Sequence, residues 1–341
     1  MDFQLKRLWV KRNKKDKQIW ETLLLQAGIR AEKNVDYTVG LFDEEKLIAV
    51  GSLSRNVLKC IAVCEKYTGG EAISQLISHL MSMVFDSGET ACYVYTKPCA
   101  KKSFIHLGFK EIARVSNELV FMEKAAFGFP HFIEKLGTQR KDGNSIAGIV
   151  INANPFTRGH LHLIETAAKE SDVVHLFVLS EDASVFPAKD RLELVKEGVR
   201  HLKNIFVHET GNYMISSATF PSYFLKEESD VIKIHAMLDA IIFKEWIAPA
   251  LNITLRYVGE EPYSEVTNIY NRTMAEIFNN NIKLVILPRK TEQGEIISAS
   301  RVRYLLSQNG LDKIKALVPE TTFKYLQSPK GKAIQQKIKK E

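Results

Sequence analysis

Residues 149–164 read IVINANPFTRGHLHLI. An apolar run breaks at Asn154-Pro155, and an amphipathic stretch opens at Gly159-His160. Proline cannot extend a strand ladder and pushes the residue before it off the helical region, so the chain must turn here. The pattern commits this segment to strand, turn and helix, the repeating unit of a parallel α/β sheet. Such a turn presents free N–H groups and the positive end of a helix, where a phosphate can sit. Gly159 allows close backbone approach. Thr157 stands beside it, and His160, held in the first turn, can donate a hydrogen bond to oxygens that gather charge as an α-phosphate is attacked.

A second segment, EIISASRVRYLL over 295–306, predicts a helix starting near Ala299, capped by Ser298 and Ser300, with Arg303 in its first turn. Hydroxyls, N–H groups and a guanidinium converging there suit the β- and γ-phosphates of a nucleotide. Around these motifs the pattern alternates. Strands are expected at IAGIVIN, VVHLFVL, NIFVH, ITLRYV and KLVIL, and helices at 160–170, 187–200, across 216–248 and at 265–278. In such sheets ligands bind at the carboxyl ends of strands, which places Asn154, residues 180–182, residues 259–261 and Arg289-Lys290 on one rim with His160.

The paired T-x-G-H and I-S-x-S-x-x-R motifs resemble those of the HxGH nucleotidyltransferase superfamily. NPFTRGH, HLFVLSED, FPAKDRLELVKEGV, ATFPSYFLK, VGEEP and LPRK, in that order over 146–310, are similar to the citrate lyase ligase family. The resemblance implies an enzyme that activates acetate as acetyl-AMP from ATP, Mg2+ arriving with the phosphates. It then acetylates the thiol prosthetic group of the acyl carrier subunit of citrate lyase. It implies His160, Thr157 and Arg303 as catalytic residues, and Asn154, Phe156, Gly159, Arg289, Ser298 and Ser300 at the nucleotide. A dinucleotide-forming adenylyltransferase acting on phosphopantetheine would use the same motifs, and a nucleotide-sensing protein without turnover is the non-enzymatic alternative. Lys189 and Arg191 open a helix as a phosphate-reaching pair or a solvated face. Glu260 and Glu261 are either ribose or magnesium ligands or an ordinary turn. His162, about 200° around a helix from His160, is expected to point away.

Residues 1–125 read differently: a helix over 18–27 stopped by Gly28, a hairpin of TVGLF and LIAVGSL, a third strand VLKCIAV, a helix over 70–85, then YVYT, a short helix and LGFKEIA. This order resembles the acetyl-CoA-dependent N-acetyltransferase fold. The expected fold class is therefore α/β: an N-acetyltransferase-like α+β domain (1–125), a linker (126–145), a Rossmann-like parallel-sheet nucleotidyltransferase domain (146–320) and a basic tail (321–341). The pyrophosphate loop of the acetyltransferase pattern is matched by Lys66-Tyr67-Thr68-Gly69-Gly70-Glu71, with a carboxylate where a small residue is expected. An acidic side chain there repels pyrophosphate. Three readings stay open: a domain kept for structure, a loop shifted so that Gly70 serves, or a cradle for the carrier's thiol arm.

The formal charge of +7 is concentrated at the ends. Residues 1–17 hold seven Lys/Arg against two Asp, and residues 323–341 six Lys against one Glu. The body between is slightly acidic, which argues against nucleic-acid binding, while basic ends would steer an acidic protein partner. Neither a membrane span nor a secretion signal is legible, so a cytoplasmic protein is expected. Cys60, Cys64, Cys92 and Cys99 have no metal-ligand spacing and read as reduced thiols, and no protein metal site is expected.

Overall fold

The computed structural model describes residues 3–68, 70–180, 184–214, 220, 228–260, 265–279 and 281–339. Two compact units form, Met1–Glu134 with Phe220–Ile241, and Lys135–Thr219 with Ile242–Glu341.

The first unit runs β1 (Gln4–Arg7), α1 (Lys14–Gln26), β2 (Tyr37–Asp43), β3 (Lys46–Ser54), β4 (Val57–Val63), α2 (Glu71–Asp86), β5 (Ala91–Thr96), α3 (Lys101–His106), β6 (Lys110–Val115) and β7 (Leu119–Ala125). Its sheet has the order β1-β2-β3-β4-β5-β7-β6. On α2, Leu76, Ile77, Leu80, Met81 and Val84 repeat at helical spacing and are buried in the core cluster with Leu41, Ile48, Leu58 and Val94 of the sheet. Burying each such side chain contributes about 1.5–3 kcal/mol. Helix α1 begins four residues before its expected start at residue 18 because Asn13 caps it, accepting from the N–H groups of Lys15 and Asp16. Strands β4 and β5 pair in parallel only at Val57↔Tyr93 and Leu58↔Val94. A largely apolar cleft of about 220 Å³ lies between Ile61–Val63 and Val94–Thr96, with Cys99 and Phe104 in its wall.

Helix α4 (Phe129–Gly137) occupies part of the segment expected as linker. Then follow β8 (Ile146–Ile151), α5 (Arg158–Glu170), β9 (Val173–Val178), α6 (Ala188–Gly198), β10 (Ile205–Glu209), α7 (Glu228–Ile242), α8 (Ala248–Leu251), β11 (Leu255–Gly259), α9 (Glu265–Phe278), β12 (Lys283–Leu287), β13 (Thr291–Glu292), β14 (Glu295–Ile296), α10 (Ala299–Ser307), α11 (Leu311–Ile314), α12 (Glu320–Gln327) and α13 (Pro329–Ile338). The five-stranded sheet of the second unit is parallel throughout in the order β10-β9-β8-β11-β12. Every residue of β9 is buried, as a strand covered on both faces requires. Its one polar residue, His175, lies 2.8 Å from the imidazole of His208 on β10.

The C-terminal residues expected as a tail form α12 and α13, with Leu326 and Ile334 in one core cluster with Ile297, Val302, Leu306 and Phe186. Of the stretch 218–226, which carries part of the family likeness, only Phe220 lies within the described residues. No helix among them is long and apolar enough to cross a membrane.

Candidate active site

Strand order reverses at β8: the chain goes outward through β9 and β10 on one side and through β11 and β12 on the other. A crevice opens outside the carboxyl ends of strands at such a switch point. Here it is a groove of about 200 Å³ between the ends of β8, β11 and β12, lined among others by Asn152, Gly159, His160, His162, Arg289 and Lys290.

Thr157 caps α5 and forms a reciprocal capping box with His160. The Thr157 N–H donates to His160 Nδ1 (3.1 Å), Thr157 Oγ1 lies 2.9 Å from the same nitrogen, and the His160 N–H donates back to Oγ1 (3.3 Å). A ring nitrogen that accepts an N–H carries no proton, so the neutral ring is protonated on Nε2. Burial, and after it the positive charge of Arg289, hold the His160 pKa down at about 4. The ring is therefore a neutral donor at pH 7. Phe156 stacks on it with ring centroids 6.0 Å apart and planes 11° from parallel.

The two sequence motifs meet. Ser298 caps α10 by accepting from the Arg301 N–H (3.1 Å), and Arg303 donates to the Asn154 carbonyl (2.5 Å) and to Ser300 Oγ (3.1 Å). A methyl group on Gly159 would stand 3.0 Å from the Ile297 carbonyl oxygen. The glycine thus admits the backbone that precedes α10, in addition to leaving the helix start open. Arg158 ties the same turn to the segment beyond α11, its N–H donating to Leu317 O (2.9 Å) and its Nε to Val318 O (3.1 Å).

Burial and hydrogen bonding place several of the expected residues. Phe156 is fully buried, packed against Gly198 on α6, and supports His160 from behind. The Asn154 side chain accepts from the Phe186 N–H (3.1 Å), so it fixes the loop before α6. Arg191 is neither a solvated residue nor a phosphate ligand. It is fully buried, donating to Phe186 O, Asn152 O, Asn152 Oδ1 and Leu179 O at 2.7–3.0 Å, and so fastens the end of β8 to the end of β9. His162, expected to point away, lines the groove with His160. Arg289 also lines it, its Nε held by Glu260 O (2.7 Å). Residues 181–182 and Glu261 lie outside the described residues, among which no group of acidic, His or Cys side chains could hold a metal ion.

Comparison with known proteins bears on both units. Curated relatives named [citrate [pro-3S]-lyase] ligase are 40% identical over 86% of this chain and 87% of the relative in Escherichia coli K12, and 35% identical over 96% and 97% in Klebsiella pneumoniae. The Haemophilus influenzae relative of that name is 37% identical over 90% of this chain and 94% of its own. Likeness to solved structures is slight. Escherichia coli ElaA has a TM-score of 0.32 and 11% identity over 36% of this chain and 99% of its own. A candidate nicotinate-nucleotide adenylyltransferase of Vibrio parahaemolyticus has 0.38 and 18% over 56% and 95%. The model of the citrate lyase ligase C-terminal domain matches residues 146–326, the stretch that contains the groove and both motifs. With this match and relatives at 35–40% identity along most of its length, the chain belongs to the citrate lyase ligase family.

Proposed function

We propose that the groove at the end of β8 adenylates acetate with ATP, and that the enzyme passes the acetyl group to a thiol prosthetic group on the acyl carrier subunit of citrate lyase. In the first step an acetate oxygen attacks the α-phosphorus and pyrophosphate leaves. In the second the thiol attacks the acetyl carbonyl, a thioester forms and AMP departs. The chain supplies position and charge, and no covalent enzyme intermediate is required.

The observation that carries this reading is the Nε2–H of a neutral His160, oriented by its Nδ1 bond to the Thr157 backbone beside the cation Arg289. A preorganised donor next to a fixed positive charge stabilises oxygens that become more negative in the transition state. Gly159, Arg289 and Lys290 shape the phosphate end of the groove, and His162 and Asn152 add donors to its wall. Ser298, Ser300 and Arg303 receive the departing pyrophosphate from the start of α10. Asn154 acts by anchoring Arg303. Mg2+ enters on the nucleotide's own phosphates. The cleft where β4 and β5 part takes the carrier's thiol arm, a role suited to its apolar lining and to a chain that must present sulfur to an acyl-adenylate.

The test is exchange of labelled pyrophosphate into ATP by the purified protein. Exchange that depends on acetate supports the acyl-adenylate step. Exchange with phosphopantetheine alone would reassign the groove to dinucleotide formation.

A further inference from the structure

Positive charge at the C-terminal end is partly paired: Lys324 pairs with Glu320 (3.6 Å), Lys330 with Asp190 (3.3 Å), and Lys339 donates to Asn309, while Lys332 and Lys337 are exposed without an ion pair among the described residues. At the N-terminal end Arg7 closing β1, Lys11 and Arg12 in the turn, and Lys14 and Lys15 opening α1 are all exposed and clustered, and none is in an ion pair among the described residues.

In the middle of this cluster stands Trp9, 45% exposed, with the Arg7 guanidinium 3.8 Å and that of Arg12 5.9 Å from its ring centroid. The turn is built rather than loose. The Trp9 N–H donates to Asp16 Oδ2 (2.7 Å), and the Trp9 carbonyl accepts from the N–H groups of both Arg12 and Asn13 (2.8 Å each). Arg7 also lies 5.0 Å from the ring of Tyr37, which closes a shallow pocket of about 140 Å³ along the turn. An exposed tryptophan beside a half-buried tyrosine, set among preorganised arginines, is the composition of an interface hot spot, because large area is buried with little side-chain entropy left to lose.

We infer that this Trp9-centred patch docks an acidic face of the protein substrate, the acyl carrier subunit of citrate lyase. The inference rests on the acetyl-transfer reading above, which gives the enzyme a protein substrate that must be captured and released. Five exposed cations from the end of β1 to the start of α1, with no ion pair among the described residues, call for a partner rich in carboxylates. A protein fits better than a single-stranded nucleic acid, since Arg7 already covers Trp9 at stacking distance and leaves that ring face closed to a base.

The experiment uses the full-length enzyme and the charge-reversed double variant Lys11→Glu, Arg12→Glu, with Trp9→Ala beside it. These residues are remote from the β8 groove in sequence and are exposed, so acetate-dependent pyrophosphate exchange is expected to stay at the parental rate. The KM for citrate lyase is expected to rise at least tenfold at low salt, with kcat kept and a flatter dependence of KM on ionic strength. Parental KM and parental salt dependence in the double variant, in a preparation that exchanges pyrophosphate normally, would overturn the docking assignment. Absence of acetate-dependent exchange in the parent would overturn the ligase reading instead, and direct titration of citrate lyase onto parent and variant then decides docking: equal affinity refutes it, and at least tenfold weaker binding to the variant supports it. Displacement of citrate lyase from the parent by a single-stranded RNA bound at this turn would refute the choice of a protein.

Discussion

Gly159→Ala isolates the contact between the two motifs. An added methyl would stand 3.0 Å from the carbonyl oxygen of Ile297, close enough that the oxygen or the start of α5 must give by a few tenths of an ångström. Gly159 is not among the glycines with positive φ, so the substitution brings no backbone strain. Alanine is also the better helix former by up to about 1 kcal/mol, which offsets the steric cost. Stability should therefore hold to within about 1 kcal/mol, a Tm change of a few degrees at most. Catalysis should not hold. The turn carries His160, and the Ile297 carbonyl leads into Ser298 and α10, so the added methyl moves the α-phosphate donor relative to the pyrophosphate end. With about 10²-fold lost per ångström of misplacement, a few tenths of an ångström costs roughly three- to tenfold in kcat. Steady-state pyrophosphate exchange and a thermal melt on the same preparation measure both quantities. Because the clash is with a backbone oxygen, Ile297→Ala in the second position should not restore the rate. Unchanged kcat in Gly159→Ala, or full rescue by Ile297→Ala, would refute the reasoning.

His160→Ala should lower the exchange kcat by about 10²-fold, roughly 2.7 kcal/mol of transition-state stabilisation, with a smaller change in ATP affinity; a near-normal kcat removes His160 from its role. Arg191→Met should cost about 3 kcal/mol in denaturant unfolding, because three carbonyl oxygens, that of Phe186 buried and those of Asn152 and Leu179 in part-buried bonds, lose their donor, and a loss under about 1 kcal/mol would contradict the clamp. His160, His175 and His208 all have pKa values lowered in the fold, chiefly by burial. In the unfolded chain they bind protons near pH 6.5, so stability should be intact above that pH and fall as pH drops from about 6.5 towards 4; unfolding curves flat over that range would refute it. Gly331→Ala should destabilise strongly, since its methyl would meet the Tyr325 carbonyl and the Leu326 backbone, and a parental Tm would show that α12 and α13 do not pack as described.

What the sequence made legible was local. The break at Asn154-Pro155 and the start of α10 at Ala299 follow from turn and capping chemistry within a few residues, and both stand where expected, while α5 starts two residues before the expected 160, capped by Thr157. Parallel strands and helices followed from periodicity. The misses share a cause in tertiary packing. Arg191 on a helix start looks solvated until the ends of β8 and β9 surround it. Phe156 reads as a nucleotide contact until α6 seals it in. The angular argument that turned His162 away took His160 as pointing straight outward. Its imidazole instead folds back onto Thr157, and the groove runs along Gly159, His160, His162 and Leu163. The lysines of residues 321–341 hid Leu326 on α12 and Ile334 on α13, which only the packing of the two helices brings into one core.

That C-terminal cluster alters how the site should be understood. A strand-end turn can place His160, but it has no direct hold on a helix start about 140 residues later. The proposed pyrophosphate end rests on Ile297, Val302 and Leu306, packed with Phe186 and Leu326 into a core separate from that beneath the parallel sheet. Polar links join this core to the sheet and its helices, beside the bonds Phe186 makes with Asn154 and Arg191. Arg158 reaches Leu317 and Val318, Arg303 reaches Asn154, and Tyr325 donates to Asp190 (2.6 Å), whose second oxygen accepts from Lys330. In the proposed reaction the two halves, attack at the α-phosphate and departure of pyrophosphate, thus fall to two separately packed cores. Their spacing depends on polar bonds at the seam, so mutations in α12 and α13 should reach the chemistry by loosening that seam, without any of those residues touching substrate.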